Sequence, residues 1–130
     1  MDKLCIAPTP STPEVDFEFA LHRHRLRGES YPENAAAFYG DILPPLRAYL
    51  ATCTGQHIEL QIALAYFNSS STKMLFNMIE SLSGAVDAGG NRVTVHWLHD
   101  EDDDTMREFG EELRDDFPAI AFEIRPLQAG

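Results

Sequence analysis

The sequence predicts an α/β fold, a single domain over residues 1–130 with helices packed on a mixed β-sheet. Segments in which every second residue is apolar recur along the chain, as half-buried strands require. From residue 58 onward they alternate with stretches whose apolar residues return every three or four positions, and such alternation marks helices layered on a sheet. The length, 130 residues, is that of one domain, and a chain 44% hydrophobic can bury a core without staples. There is no internal repeat and no Gly/Ser linker, so no domain boundary is placed.

Residues 1 to 13 carry three prolines and read as an irregular or edge segment. Val15, Phe17, Phe19 and Leu21 then alternate with polar or small residues, a strand with one wet face. A second strand around His24 to Gly28 returns beside it as a hairpin. After Ser30-Tyr31-Pro32-Glu33-Asn34, the residues Phe38, Ile42, Leu46, Tyr49 and Leu50 trace a helix started at Asn34 or the preceding turn, with a kink or break at Pro44-Pro45. Ile58, Leu60, Ile62, Leu64 and Tyr66 line one face of a further strand. Ala63, Ala65 and Phe67 make its other face partly apolar, which predicts a central strand covered on both sides. Met74, Leu75, Met78, Ile79 and Leu82 form the next helical stripe, which Gly89-Gly90 can end by supplying positive φ. Val93, Val95 and Trp97 mark a strand. A helix over about Thr105 to Arg114 follows, buried along Met106, Phe109 and Leu113 and led by carboxylates suited to its positive end. Ile120, Phe122 and Ile124 close the chain as a last strand.

The balance of 21 acidic to 10 basic residues, a formal charge of −11, repels phosphate backbones and anionic membrane surfaces. The one basic run, His22 to Arg27, alternates as a strand with charges on its wet face, so neither nucleic acid nor membrane is expected as a partner. Cys5 and Cys53 match no redox or metal pattern and read as reduced thiols. With no apolar signal segment at the N-terminus, the expected location is the cytoplasm. His22 and His24 share a strand face, and His96 and His99 lie on or near another. No carboxylate or thiolate completes a ligand set, so these read as surface histidines, with no metal and no cofactor expected. Glu101 to Asp104 lack the calcium-loop pattern and read as a solvated helix cap.

The densest hydroxyl cluster, Ser69-Ser70-Ser71-Thr72, follows Asn68 where a strand ends and a helix begins. Unpaired amides and partial positive charge gather at such a junction, which favours anions. In the plainest reading Asn68 or Ser69 caps the helix and the other hydroxyls are tolerated first-turn residues. A serine nucleophile, as in a small hydrolase or ligand-binding domain using residues 69 to 72, lacks the G-x-S-x-G elbow and a marked His and Asp. A phosphoacceptor is the third reading. Phosphate there adds about −1.5 to −2 charges at an end that stabilises it, with Lys73 one turn on. Tyr31 to Asn34 read first as a helix start, with Pro32 near the first turn and Glu33 suited to the dipole, and second as a partner contact.

The run SYPEN (Ser30 to Asn34), then a helix, then a strand ending in YFNSSSTK (Tyr66 to Lys73), then a helix and a V-x-V-x-W strand, resembles the SiaC family of regulatory phosphoproteins. STPEV (Ser11 to Val15) is similar to the family's opening, and the likeness covers roughly residues 4 to 124. The resemblance implies a STAS-like architecture, similar to anti-anti-sigma domains, and no enzymatic activity. It implies a phosphoacceptor directly after the turn Asn, here Ser69, with Ser70, Ser71 and Thr72 as alternatives; the family's best-described acceptor is threonine. Tyr31, Glu33, Asn34, Asn68 and Lys73 become partner-interface candidates. The implied partners are a Ser/Thr protein kinase, a metal-dependent Ser/Thr phosphatase, and a diguanylate cyclase that the unphosphorylated form binds and activates, raising cyclic di-GMP and favouring biofilm.

Overall fold

The computed structural model describes residues 3–127. Six strands lie side by side in chain order: β1 (Lys3–Ile6), β2 (Glu14–Glu18), β3 (Arg23–Ser30), β4 (His57–Phe67), β5 (Arg92–His99) and β6 (Ala121–Pro126). The first three are antiparallel and β3 to β6 run parallel. The parallel crossovers carry α1 (Ala35–Gly40) with α2 (Leu43–Thr52), then α3 (Ser69–Gly89), then α4 (Asp104–Asp116). Each crossover steps one place in the same direction, and right-handed connections that keep one direction leave their helices on the same face. The burial pattern follows. Val15, Leu26, the row Ile58–Leu60–Ile62–Leu64, Val95 and Trp97 are buried on that face, whereas Glu14, Asp16, Arg25, Glu59 and His96 lie on the other, bare face.

The mixed sheet and its helices are as the periodicities predict, and so are the β2–β3 hairpin, the break at the prolines and the stop at Gly90, which has φ 63°. Pro44 stands in the first turn of α2, where its missing N–H has no intrahelical partner to lose. Four expectations are corrected. The β2 alternation does not reach Leu21: Phe19–Leu21 form a 3-10 turn closed by His22 at φ 57°, leaving Phe19 buried and Leu21 58% exposed. β4 is covered on one side only, because all crossovers pack on one face. Its buried row also stops at Leu64. The β3 register shifts between Gly28 and Glu29, pairing Leu64 with Gly28 but Tyr66 with Glu29. The extra residue, Ala65, is a bulge that reverses the alternation, so Tyr66 is exposed and Phe67 turns inward onto Phe109.

The fourth correction concerns the histidines. His24 is buried and its ring stacks edge-on against Phe17 and Tyr49, with neither ring nitrogen hydrogen-bonded. His99 is buried too. His22 leaves the strand and meets the Tyr49 hydroxyl at 2.6 Å. Burial first, and the nearby His22 second, push His24 down to about 4 from its ordinary 6.5.

A hydrogen-bonded knot under the first turn of α3 joins β3, α1 and α3. Ser71 Oγ donates to the Ser30 carbonyl at 3.0 Å. With that proton committed, Ser30 Oγ donates to Ser71 Oγ at 2.8 Å and accepts from the Tyr39 hydroxyl at 2.7 Å. Burial drives Tyr39 up to about 12, so it keeps its proton throughout the useful pH range. The Asn68 amide also donates to the Ser30 carbonyl, at 3.0 Å, using that oxygen's second lone pair.

Unfolded His24 takes up its proton near pH 6.5 and the folded ring only near 4, so stability is complete above about 6.5 and falls as pH drops toward 4. The loss is on the order of 3 kcal/mol over that window, and urea titrations should show His24→Leu with a flatter dependence between pH 6.5 and 4. Ser71→Ala should cost about 1–3 kcal/mol, the penalty for stranding buried partners, read as a lower urea midpoint at unchanged slope.

Candidate functional site

The site lies at the carboxyl ends of β3 and β4, where the chain enters α3. Asn68 holds an extended backbone, φ −96° and ψ 172°, and its Oδ1 accepts the Ser71 amide at 2.9 Å. This cap takes up one orphan amide and leaves those of Ser69 and Ser70 facing outward at the positive end of a 21-residue helix.

The four hydroxyls separate by environment. Ser71 is fully buried and committed to Ser30. Thr72 is half-buried and its hydroxyl donates to the Asn68 carbonyl at 3.3 Å. Ser69 and Ser70 are exposed. A chemistry that needs an incoming group therefore finds Ser69 and Ser70 and is barred from Ser71.

The loop before α1 supplies the opposite bank. Glu33, Asn34, Ala36, Ser69, Ser70 and Lys73 surround an open groove of about 420 Å³. Asn34 caps α1, its Oδ1 accepting the Ala37 amide at 3.0 Å, so Asn34 and Asn68 both spend their side-chain oxygens on helix starts. Glu33 and Lys73 are exposed on the two banks. Tyr31 is exposed at the end of β3 and meets Tyr66 edge-on, ring centroids 5.4 Å apart. The structure thus gathers the five residues singled out beside Ser69 around one edge of the sheet and adds Tyr66. The alternation rule assigned Tyr66 to the core; the doubled small-plus-aromatic step Ala65-Tyr66 after an unbroken apolar row was the only sign of the bulge.

A nucleophilic serine would need a base within hydrogen-bond reach. Among the described residues no histidine or carboxylate is hydrogen-bonded to Ser69 or Ser70; Glu33 is the one carboxylate on the groove. The described residues contain no group of three His, Cys, Asp or Glu placed to hold a metal ion. His96 stands between Glu123 at 3.0 Å and Glu59 at 3.7 Å on the bare face. In the acidic loop, Asp103 caps α4 through the Met106 amide at 3.0 Å. Two of the three arginines of the basic run are met across the hairpin, Arg25 by Asp16 at 2.9 Å and Arg27 by Glu14. No described helix is long and apolar enough to cross a membrane.

Comparison with known proteins converges on one family. An uncharacterized protein of Pseudomonas aeruginosa strain UCBPP-PA14 is 33% identical over 117 residues, covering 89% of this chain and 90% of the relative. The crystal structure of apo-SiaC from Pseudomonas aeruginosa superposes with a TM-score of 0.85 at 30% identity, over 96% of this chain and 99% of that one. SiaC from the same organism, in a structure of the diguanylate cyclase SiaD in complex with its activator SiaC, matches with a TM-score of 0.85 at 30% identity over 95% and 99% of the two chains. The model of the SiaC family of regulatory phosphoproteins matches residues 6–127, and this chain belongs to that family.

Proposed function

We propose that the protein is a non-enzymatic, cytoplasmic phospho-switch whose acceptor is Ser69. The observation that carries this is the sorting of the hydroxyl cluster: the helix tip presents Ser69 and Ser70 to solvent while Ser71 and Thr72 are tied to the fold beneath it, and of the exposed pair Ser69 directly follows Asn68, where the family resemblance implies the acceptor. A Ser/Thr kinase transfers the γ-phosphoryl of ATP to Ser69 Oγ and releases ADP. A metal-dependent phosphatase hydrolyses the ester and returns the hydroxyl with inorganic phosphate. The unmodified form binds and activates a diguanylate cyclase, as SiaC is the activator of SiaD in the related complex, and so raises cyclic di-GMP and favours biofilm.

The modified serine gains about −1.5 to −2 charges and three acceptor oxygens. The free amides of the first turn can accept that charge locally, and Lys73, one turn on, adds an exposed and weak ion pair. Glu33 across the groove opposes it. The fold stays as it is while the surface a partner meets becomes more acidic and larger. In this reading Tyr31, Glu33 and Lys73 touch partners, and Asn34 and Asn68 contribute by fixing the two helix starts.

Incubation with the cognate kinase and MgATP, followed by intact-mass and fragment analysis, should place one phosphate on Ser69 and none on Ser71, and Ser69→Ala should abolish it. A phosphate on Ser70, Ser71 or Thr72, or no phosphate, overturns the assignment. In calorimetry with the cyclase, Ser69→Ala should bind as the parent does, and Ser69→Asp should bind about tenfold more weakly, the scale of one or two lost or repelled charged contacts. Equal affinities for the two variants would contradict the switch.

A further inference from the structure

The bare face of the sheet has two unlike halves. Sheets of parallel strands are nearly always covered on both faces, yet β3 to β6 carry helices on one face only. On one half of the open face charged side chains answer one another: Arg25 with Asp16 at 2.9 Å, His96 with Glu123 at 3.0 Å, and Arg27 with Glu14. Toward the carboxyl ends of the strands the character changes. Ala63 sits in register with Leu98, Ala65 is the bulged residue, and Tyr66 and Tyr31 stand exposed beyond them. Among the described residues only Leu21, Tyr31, Tyr66 and Leu127 are large, apolar and exposed, and the two tyrosines touch.

The bulge is the telling feature. Without it Tyr66 would continue the buried row of β4, so its exposure depends on the bulge. Bulges re-aim side chains beside functional sites, and they are rare between parallel strands. Here one turns a tyrosine out of the core to meet a second tyrosine. Glu29 is the register partner of Tyr66, is exposed, and makes no ion pair among the described residues. Two aromatic rings beside an unanswered carboxylate, on a chain of charge −11, complement a cation.

We propose that Tyr31, Tyr66 and Glu29 form the anchor for the cyclase, seating one arginine or lysine of the partner over the tyrosine rings and against the carboxylate, with apolar flanking residues of the partner on Ala63, Ala65 and Leu98. This rests on the phospho-switch reading, since it supplies the docking surface that the switch controls. Paired tyrosines are the residue type that dominates interface energetics, and they lie on the same sheet edge as Ser69. The docking surface is then the open sheet face, with the helix tip at its rim.

The test uses the full chain and the cyclase, with affinity measured at two salt concentrations and phosphorylation by the kinase measured in parallel. Tyr66→Ala should weaken binding at least about tenfold, as expected of a buried interface aromatic, while Ser69 is phosphorylated at the parental rate and the far-ultraviolet circular dichroism is unchanged. Tyr66→Phe, which keeps the ring, should stay within about threefold of the parent. Glu29→Gln should bind more weakly and with a shallower salt dependence. A smaller loss for Tyr66→Ala, with binding still sensitive to phosphorylation, overturns the anchor and leaves the switch standing. A parent that does not bind the cyclase in either phosphorylation state overturns both.

Discussion

The constraint on which the site depends is the chain of hydrogen bonds from the Tyr39 hydroxyl through Ser30 and Ser71 to the Ser30 carbonyl. Each hydroxyl has one proton to give, and the geometry leaves each with one place to send it. The knot ties the end of β3 and the short helix α1 that follows it to the first turn of α3, 41 residues beyond Ser30 at Ser71. Its members are buried, so every bond is made in a low-dielectric setting where leaving a partner stranded is costly. The consequence at the surface is a fixed register for the helix start. Since Ser71 points down, Ser69 and Ser70 face outward, and Asn68 has one amide to cap. Exposure of the proposed acceptor is thus a result of what lies beneath it.

The winding of the sheet sets the second constraint. With every parallel crossover stepping the same way, both banks of the groove come from connections that leave adjacent strands at the same edge: the β3-to-α1 loop brings Glu33 and Asn34, and the β4-to-α3 turn brings Ser69 and Lys73. Ligand and partner sites of parallel sheets gather at the carboxyl ends of strands for this reason. The same winding leaves the opposite face without helices. There Arg25 pairs with Asp16 and Arg27 with Glu14, so strong negative charge overall coexists with locally matched charges.

The order of elements, the helix break at the prolines and the cap at Asn68 were legible because each rests on local chemistry: period, a missing N–H, a side-chain oxygen at the right offset. What failed rests on events between strands. Nothing in the alternation of Val15, Phe17 and Phe19 tells that the chain turns at Glu18, because a buried Phe19 satisfies the pattern in a 3-10 turn as well as in a strand. Tyr66 was misplaced because one extra residue in β4 changes the face of everything after it. His24 reads as a wet-face residue beside arginines, yet the strand register with Phe17 puts it inside. The hydroxyl cluster was legible as a place and illegible as a set of four different residues, since the knot that distinguishes them joins positions 41 apart.

That distinction bears on how such a switch can work. A phosphate on Ser71 would have to break the knot, so modification there would act by unfolding the helix start. A phosphate on Ser69 would meet free amides and solvent and would leave the hydrogen bonds beneath it in place. A change confined to charge and bulk can be reversed without refolding, and it acts on a partner only through contact or short-range field, within roughly a Debye length of 8 Å at physiological salt. Any protein that reads the state of Ser69 must therefore dock within reach of this edge of the sheet. The groove between α1 and α3 and the tyrosine-bearing end of the bare face are the two surfaces that meet that condition.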